Sequence, residues 1–578
     1  MQANRKRDFC FLLFLPTELN GEKRFEGDHA HYLRRKMDEV SIALGVAALA
    51  LLLKYRSDSF RSESTDTHPA LLRNQVVTGN TRNAGEWAIV RNRATPYNNN
   101  NIPQFVKSVT DSLAAALDAP ARTAQPLLHS RPTAEAPFVA TRVGQVATDV
   151  KDLGSGLHTL LGTAKNTLVG NFVESVDAVK VELACILHGF VSCWWDSGDK
   201  EVALDEATLK KILLQTEMRA IVVLETTVDS VLSVAGQCKK LEHVIVAGVS
   251  SLSKEFSERA AALKVNIHTL DAIKARGKAN PHEQVKRELS DIYSIVYGAD
   301  EKDLKGTEIT FLNASAAISA IYITLPQSVK MTNSDSYLSV CHVSSPFERC
   351  IIFAVLIAGG QVAFSSGKAV MKDIQAFSPT LIHTNSKTLD TFANAIDSHS
   401  SSKSWGVRKA ISVKMQEVEE GRCWKGTLYD KLFLGEIQNG IFGGHLRYIW
   451  NSPDLRKDDT QTVKKIRAVV GSQVIQTLSA AETVGLAFYT WFGDYTEVDH
   501  VGVPAANLEY KLVDAPSKHY LVTDNPNPKG EIWFRGPGVA KAYHKDSVKM
   551  ANQVDEEGWF KSGIYAQLFP NGTLGVLA

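Results

Sequence analysis

Residues Glu206–Leu270 read EATLKKILLQTEMRAIVVLETTVDSVLSVAGQCKKLEHVIVAGVSSLSKEFSERAAALKVNIHTL. Three apolar runs of strand length, Arg219–Thr226, His243–Ser250 and Val265–Leu270, are separated by helical stretches such as Glu206–Glu217. A fourth run, Thr167–Phe172 (TLVGNF), precedes them. Short apolar runs that alternate with helix-length segments are the pattern of βα units. Parallel strands require such crossovers, so the alternation predicts an α/β protein with mostly parallel, helix-covered sheets.

Outward from this stretch the pattern changes. From about residue 104 to 165, Ala/Leu-rich helical stretches alternate with Pro-containing breaks. Residues 58–105 are polar and irregular, with the run Asn98–Asn101 before Pro103, and read as linker. The Ser-rich break Ser398–Ser404 reads as a loop. After about residue 500 come short strands with turn residues: LEYKLVD (508–514), GEIWFRG (530–536) and LGVLA (574–578). The expected organisation is an N-terminal extension and membrane anchor over 1–57, a linker over 58–105 and a large domain over 106–500. A small β-rich subdomain of the same N-terminal domain follows over 501–578.

The chain has 578 residues, 44% hydrophobic and 22% charged, and Lys+Arg 64 against Asp+Glu 63 leave a formal charge of +1. Such a balance gives no electrostatic case for nucleic acid as a partner. The 7 cysteines (Cys10, Cys185, Cys193, Cys238, Cys341, Cys350, Cys423) form no C-x-x-C pair and mostly lie among apolar residues, as buried free thiols in a reducing compartment would. The histidines His188, His268, His342, His383 and His544 are dispersed, and no His/Cys/carboxylate spacing marks a metal site. No G-x-S-x-G is present to mark a serine hydrolase.

Val40–Leu53, VSIALGVAALALLL, is flanked by Arg34, Arg35 and Lys36 before it and Lys54, Arg56 and Arg61 after it. It is shorter than the ~20 residues of an ordinary span, so it suits a helix at the lipid interface or a short tilted span. Upstream, Phe9–Leu15 (FCFLLFL) resembles a stunted signal segment, and Met37 would itself make a plausible start.

Val296–Asn313 reads VYGADEKDLKGTEITFLN. It resembles the phosphate loop of AMP-forming acyl-CoA synthetases, close to YTSGTTGxPKGVxLTHxN, with Lys305-Gly306, Thr310 and Asn313 in register. YLSVCHVSSPFERCIIFAVLIAGGQVAF (337–364), VGVPAANLEYKLVD (501–514) and KGEIWFRGPGVAKAYHKD (529–546) likewise resemble segments of long-chain fatty acyl-CoA synthetases, in the family's order from about Gly154 onward. The resemblance implies an adenylate-forming domain of helix-covered sheets plus a small β-rich subdomain. A membrane anchor ahead of the ligase is also common in that family.

The positions that carry the family's chemistry depart from it. The Ser/Thr/Gly segment of the phosphate loop is Gly298-Ala299-Asp300-Glu301-Lys302. A carboxylate about 4 Å from a phosphate charge costs roughly 4 kcal/mol at an effective dielectric near 20. The family's GYGxTE, with a Tyr against adenine and a Glu for Mg²⁺, is Thr477–Glu482: Glu482 is kept, while Leu478 and Ala481 replace the Tyr and the Thr. The adenine loop is Asn451-Ser452-Pro453-Asp454, without its glycine. The family histidine before Phe347-Glu348-Arg349 is Ser345. The ribose aspartate after Trp559-Phe560-Lys561-Ser562-Gly563 is Ile564. The chain stops at Ala578, where the family continues into a hinge and a lid domain bearing the catalytic lysine, and the resemblance implies a chain without that lid.

The expected remnants of the family site are Lys305, Gly306, Thr310, Glu482 and Gly563, with Glu482 the Mg²⁺ ligand if the metal binds. No cofactor is expected, where the family would use ATP, Mg and CoA. The chain reads as an intracellular, membrane-associated pseudoenzyme, on the cytosolic face of the endoplasmic reticulum or of a mitochondrial membrane. It would serve as a scaffold with a protein partner or as a lipid-binding protein for a fatty acyl chain. The alternative is an active long-chain fatty acid–CoA ligase, making acyl-CoA, AMP and diphosphate from ATP, fatty acid and CoA.

Overall fold

A computed structural model describes residues 85–92, 106–162, 165–196, 204–298, 303–326, 329–365, 367–401, 405–420, 425–452, 460–491 and 500–577. The anchor run Val40–Leu53, the acidic pair Asp300-Glu301 and Pro453-Asp454 lie outside these residues. The four expected runs form the strands Leu168–Phe172, Ala220–Leu224, His243–Ala247 and Asn266–Thr269, parallel neighbours in one sheet. Polar residues start the crossover helices at the places where the apolar periodicity begins. Asp205 accepts the Thr208 N–H at 2.9 Å and opens helix Glu206–Thr216. Ser253 and Thr269 do the same for helices Lys254–Ala262 and Leu270–Ala279.

That sheet has eight strands: Ala542–Tyr543, Gly306–Thr310, Ile292–Gly298, Val191–Asp196, Leu168–Phe172, Ala220–Leu224, His243–Ala247, Asn266–Thr269. Only the first two pairings, Ala542–Tyr543 with Gly306–Thr310 and Gly306–Thr310 with Ile292–Gly298, are antiparallel. Side chains alternate between its faces, as the pleat requires: Trp194, Val222, Ile245 and Val296 enter the main core, while Cys193, Ile221, Val244 and Ile295 enter a second apolar cluster. A nine-stranded sheet has a parallel centre of Gln473–Ala480, Tyr448–Ser452, Leu381–Asn385, Ser336–Ser339, Gln361–Phe364 and Pro126–Ser130. Antiparallel strands flank it: Val139–Arg142 on one side, Gly485–Tyr489 and then Val503–Pro504 on the other. Helices Val143–Leu161, Val176–His188, Phe311–Thr324 and Pro346–Ala358 contribute to the main core together with residues of both sheets. Helix Pro346–Ala358 is buried on nearly every side, the state of a helix covered by sheets rather than by water.

The third sheet is antiparallel throughout, in the order Val90–Arg91, Glu509–Val513, Lys529–Arg535, Phe560–Leu568, Leu574–Leu577. Two boundaries differ from the expected ones. Residues 85–92, read as linker, supply its edge: Val90 pairs with Tyr510, Glu86 bridges Val513, and Lys511 reaches Glu86 at 2.8 Å. A two-residue strand is too short to leave a periodic signal. The 501–578 segment is not confined to its own sheet either, because Val503–Pro504 and Ala542–Tyr543 close the edges of the two large sheets. The expected Ser-rich loop is also modified, since Ser398–Ser401 complete helix Ser386–Ser401. Among the described residues no helix is long and apolar enough to cross a membrane.

Candidate functional site

Lys305, Glu482 and Tyr543, far apart in sequence, meet where a hairpin turn of the nine-stranded sheet faces the edge of the eight-stranded one. The turn residue Glu482 follows strand Gln473–Ala480, and its carbonyl accepts the Ala540 N–H at 2.7 Å. That contact brings Ala542–Tyr543 alongside Gly306–Thr310. The Glu482 carboxylate accepts the Tyr543 hydroxyl at 3.0 Å and lies 3.5 Å from Lys305 Nζ. Lys305 Nζ also sits 3.7 Å from Asp303 and 5.0 Å from the centre of the Tyr543 ring. Burial, then the charge of Glu482, push the Tyr543 hydroxyl up, so it stays a donor. Lys549 pairs with Asp303 and holds it below the usual carboxylate range. The Lys305–Glu482 pair is partly exposed, and such pairs contribute about 0–1 kcal/mol net. It is a weak lock.

Thr310 and Asn313 serve the frame. Thr310 caps helix Phe311–Thr324 in a reciprocal box with Asn313. The Asn313 amide also donates to the carbonyls of Pro537 and Val539, each at 2.8 Å, and ties the helix to the segment ahead of Tyr543. Gly306 is a packing requirement: a Cβ there would stand 2.5 Å from Cζ of Tyr297.

The positions that the resemblance assigns to the adenine-stacking tyrosine and the ribose aspartate carry apolar side chains. Leu478 is 5% exposed and belongs to the main core, opposite Phe488 in the strand pair. Ile564 packs partly buried against the same core. It follows Gly563, whose φ of +70° and N–H to Glu531 (2.9 Å) belong to an irregularity in the pairing with Lys529–Arg535. Gly563 is therefore explained by backbone shape.

Phe347-Glu348-Arg349 are kept by the architecture. Arg349 donates to the carbonyls of Val343 (3.3 Å) and Ser344 (2.6 Å) and to the Tyr293 hydroxyl (3.1 Å), with its guanidinium 4.7 Å over Trp194. This fixes the turn that leads into Ser345, the residue before helix Pro346–Ala358. Glu348 is fully buried and accepts three bonds, from Tyr337 Oη (2.7 Å), Ser339 Oγ (2.5 Å) and His383 Nδ1 (2.6 Å). His383 Nε2 lies 2.9 Å from Ser452 Oγ, Ser452 Oγ 2.9 Å from Thr477 Oγ1, and Thr477 donates to the Asn451 carbonyl at 3.0 Å.

The hydrogens in this chain can be placed by elimination. A carbonyl only accepts, so Thr477 has spent its proton on Asn451 and must accept from Ser452. Ser452 then has none left for His383, so Nε2 carries a hydrogen, and Nδ1 carries another for the carboxylate. His383 is an imidazolium. Burial alone would lower its pKa, but Cys341 and Glu348 outweigh burial and raise it to about 10.

Sequence reading found Lys305 and Glu482, which the fold brings together, and Gly306, Thr310 and Gly563, which build it. It missed Tyr543 and Asp303, and it missed the Glu348–His383–Ser452 chain, whose members come from a helix and two strands. The only available signal was a histidine inside the apolar strand Leu381–Asn385, a place where an imidazole needs partners.

The AMP-binding enzyme family profile matches residues 142–544. Among curated relatives, long-chain-fatty-acid–CoA ligase 6 of Mus musculus is 26% identical over 456 residues, 77% of this chain and 63% of that protein. The peroxisomal long chain acyl-CoA synthetase 6 of Arabidopsis thaliana is 25% identical over 444 residues, 75% of this chain and 61% of that one. This chain thus spans less than two thirds of the length of either. Among solved structures, a long-chain-fatty-acid–CoA ligase from Archaeoglobus fulgidus superposes with a TM-score of 0.61 at 16% identity, over 84% of this chain and 86% of its own. The adenylation domain of a carboxylate reductase from Mycobacterium chelonae gives 0.63 at 14%, over 91% and 77%. With the family profile spanning most of the described fold, the chain belongs to the AMP-binding enzyme family.

Proposed function

We propose that this protein is a membrane-associated relative of the long-chain acyl-CoA synthetases that no longer makes acyl-adenylate. It acts through its retained fold, as a scaffold for a protein partner or as a binder of fatty acyl chains. The observation that carries the reading is apolar packing at two positions that the resemblance assigns to the nucleotide: Leu478 in the core and Ile564 against it. Two ribose hydroxyls opposite an isoleucine lose their partners, at about 1–3 kcal/mol each when buried. Asp300 and Glu301 add charge of the wrong sign to a loop that should hold phosphate. The Lys305–Glu482 pair adds little, being exposed enough to open.

The test is a melting curve of the purified chain with ATP·Mg, and separately with a long-chain fatty acid. A ligand at 100 times its Kd adds about 2.7 kcal/mol, an easily read upward shift. No shift with ATP·Mg is expected, and replacing Asp300 and Glu301 by Thr leaves that result unchanged, because Leu478 and Ile564 still fail the base and the sugar. A clear shift at millimolar ATP, or measurable formation of acyl-CoA, would restore the active ligase as the correct reading.

A further inference from the structure

We propose that Cys341, Glu348 and His383 form a binding site for a thiophilic divalent cation, zinc above all. Their donor atoms, one sulfur, one oxygen and one nitrogen, all lie within 4.8 Å of one another. Three elements supply them: the loop after strand Ser336–Ser339, the first turn of helix Pro346–Ala358, and the middle of strand Leu381–Asn385. That dispersion hides the site from any scan for ligand spacing. The set shares no residue with Glu482 or with the positions that the resemblance assigns to the nucleotide.

Charge is the first argument. A thiolate, a carboxylate and a neutral imidazole sum to minus two, so a divalent ion leaves the buried cluster neutral, as burial demands. The surrounding bonds are the second. Metal ligands are normally held by partners on their far side. Glu348 Oε1 is gripped by Tyr337 and Ser339, and His383 Nε2–H points to Ser452 Oγ, leaving Oε2 and Nδ1 turned toward each other. Phe347 covers the imidazole edge-on at 4.8 Å. Cys341 is half-buried where the other two are buried, so the sulfur is the side from which an ion arrives.

The required movement is small. Tetrahedral zinc with bonds of about 2.0–2.1 Å to N and O sets those two donors about 3.3 Å apart. Nδ1 and Oε2 now stand 2.6 Å apart around a shared proton. The ion takes that proton's place, displaces the thiol proton, and leaves Nε2–H on Ser452 undisturbed. Three protein ligands leave a fourth position for water, the arrangement of zinc sites that remain open to a ligand.

The full chain, stripped with chelator and then titrated with Zn²⁺ or Co²⁺, is expected to bind one ion. The cobalt form should show a near-ultraviolet thiolate-to-metal band, and zinc should protect Cys341 from alkylation as read by mass spectrometry. Cys341→Ser should abolish the band and the stoichiometric binding. Ser452→Ala, which removes only the outer partner, should weaken affinity about 10- to 100-fold. Cys193→Ser, a buried thiol elsewhere, serves as the control and should bind as the parent does. If Cys341→Ser fails to fold, the band and the alkylation protection of the parent chain decide. Zinc bound equally well by Cys341→Ser, a cobalt form without the thiolate band, or alkylation of Cys341 unaffected by zinc would each overturn the proposal and leave an adventitious ion only.

Discussion

At Thr310 the hydroxyl donates to Asn313 Oδ1 at 2.7 Å and accepts the Asn313 N–H at 3.2 Å, so both of its hydrogen-bonding directions serve the helix cap. Thr310→Ala should cost about 0.5–2 kcal/mol of stability in urea denaturation, with Thr310→Ser restoring most of it. Asn313→Ala should cost more, because it also frees the carbonyls of Pro537 and Val539. If Thr310→Ala leaves stability unchanged, the hydroxyl is not a structural cap and a phosphate role regains weight. Thr310 also shows why site residues were only half legible. Thr310 and Gly306 stand in register with a phosphate loop in sequence, yet a cap and a phosphate donor use the same residue type. Lys305 and Glu482 were legible only through the resemblance, which sets each in register with a family motif, and nothing in the sequence says that the two meet. Tyr543 was not, because a tyrosine near an edge strand gives no sign of which carboxylate it will meet.

Helices Val143–Leu161 and Leu270–Ala279 cross in contact at Gly156 and Gly277. A Cβ on Gly277 would stand 1.9 Å from the Asp152 carbonyl oxygen, and one on Gly156 2.2 Å from that of Ile273. The obstacles are backbone atoms, which cannot rotate away as a side-chain tip can. Gly277→Ala should therefore cost at least the upper end of the usual overpacking penalty, about 3 kcal/mol. Gly298→Ala, with open space at its Cβ, should be near neutral in the same denaturation assay. Equal stabilities would mean that the helices are farther apart than this. At this scale the parallel strands could be read in advance, because burial on both faces turns each into a continuous apolar run. The edge strands Val90–Arg91, Val503–Pro504 and Ala542–Tyr543 could not, since two residues carry no period. The run Val40–Leu53 belongs to this scale too. Its deletion should move the protein from the membrane pellet to the soluble fraction, and a variant that still pellets after a carbonate wash would place the anchor elsewhere.

The three sheets are laced together by chain segments distant in sequence: residues 85–92 edge the third sheet, and residues 503–504 and 542–543 close the two larger ones. Opening one sheet disturbs the others, so buried titratable groups in different parts of the fold should act on one unfolding equilibrium. His383 and His188 pull it from opposite sides. Burial works against the charge on His383, but Cys341 and Glu348 prevail and raise its pKa to about 10, above the 6.5 of an unfolded histidine. Its contribution is therefore complete below pH 6.5 and is lost as pH rises through 10. His188, beside His158 and packed against Gly154, is lowered to about 4 by burial and then by the charges of His158, His282 and Lys151. There the unfolded chain binds the proton first, so stability is present above pH 6.5 and falls as pH drops through 4. The stability of the chain, measured by urea denaturation in chelator, should thus peak between these limbs, near neutral pH. His383→Gln should lower the peak, because Glu348 loses its countercharge, and should make the alkaline limb shallower from pH 6.5 upward. The acid limb should remain, as should the loss above pH 9 that the buried thiols Cys193 and Cys350, both pushed up by burial, contribute. His188→Gln should make the acid limb shallower, leaving the part contributed by His268, which burial also lowers to about 4, and should not touch the alkaline limb. An alkaline limb that survives His383→Gln unchanged would mean that the imidazole between Glu348 and Ser452 is neutral, and the proton placement along Glu348, His383, Ser452 and Thr477 would have to be reversed.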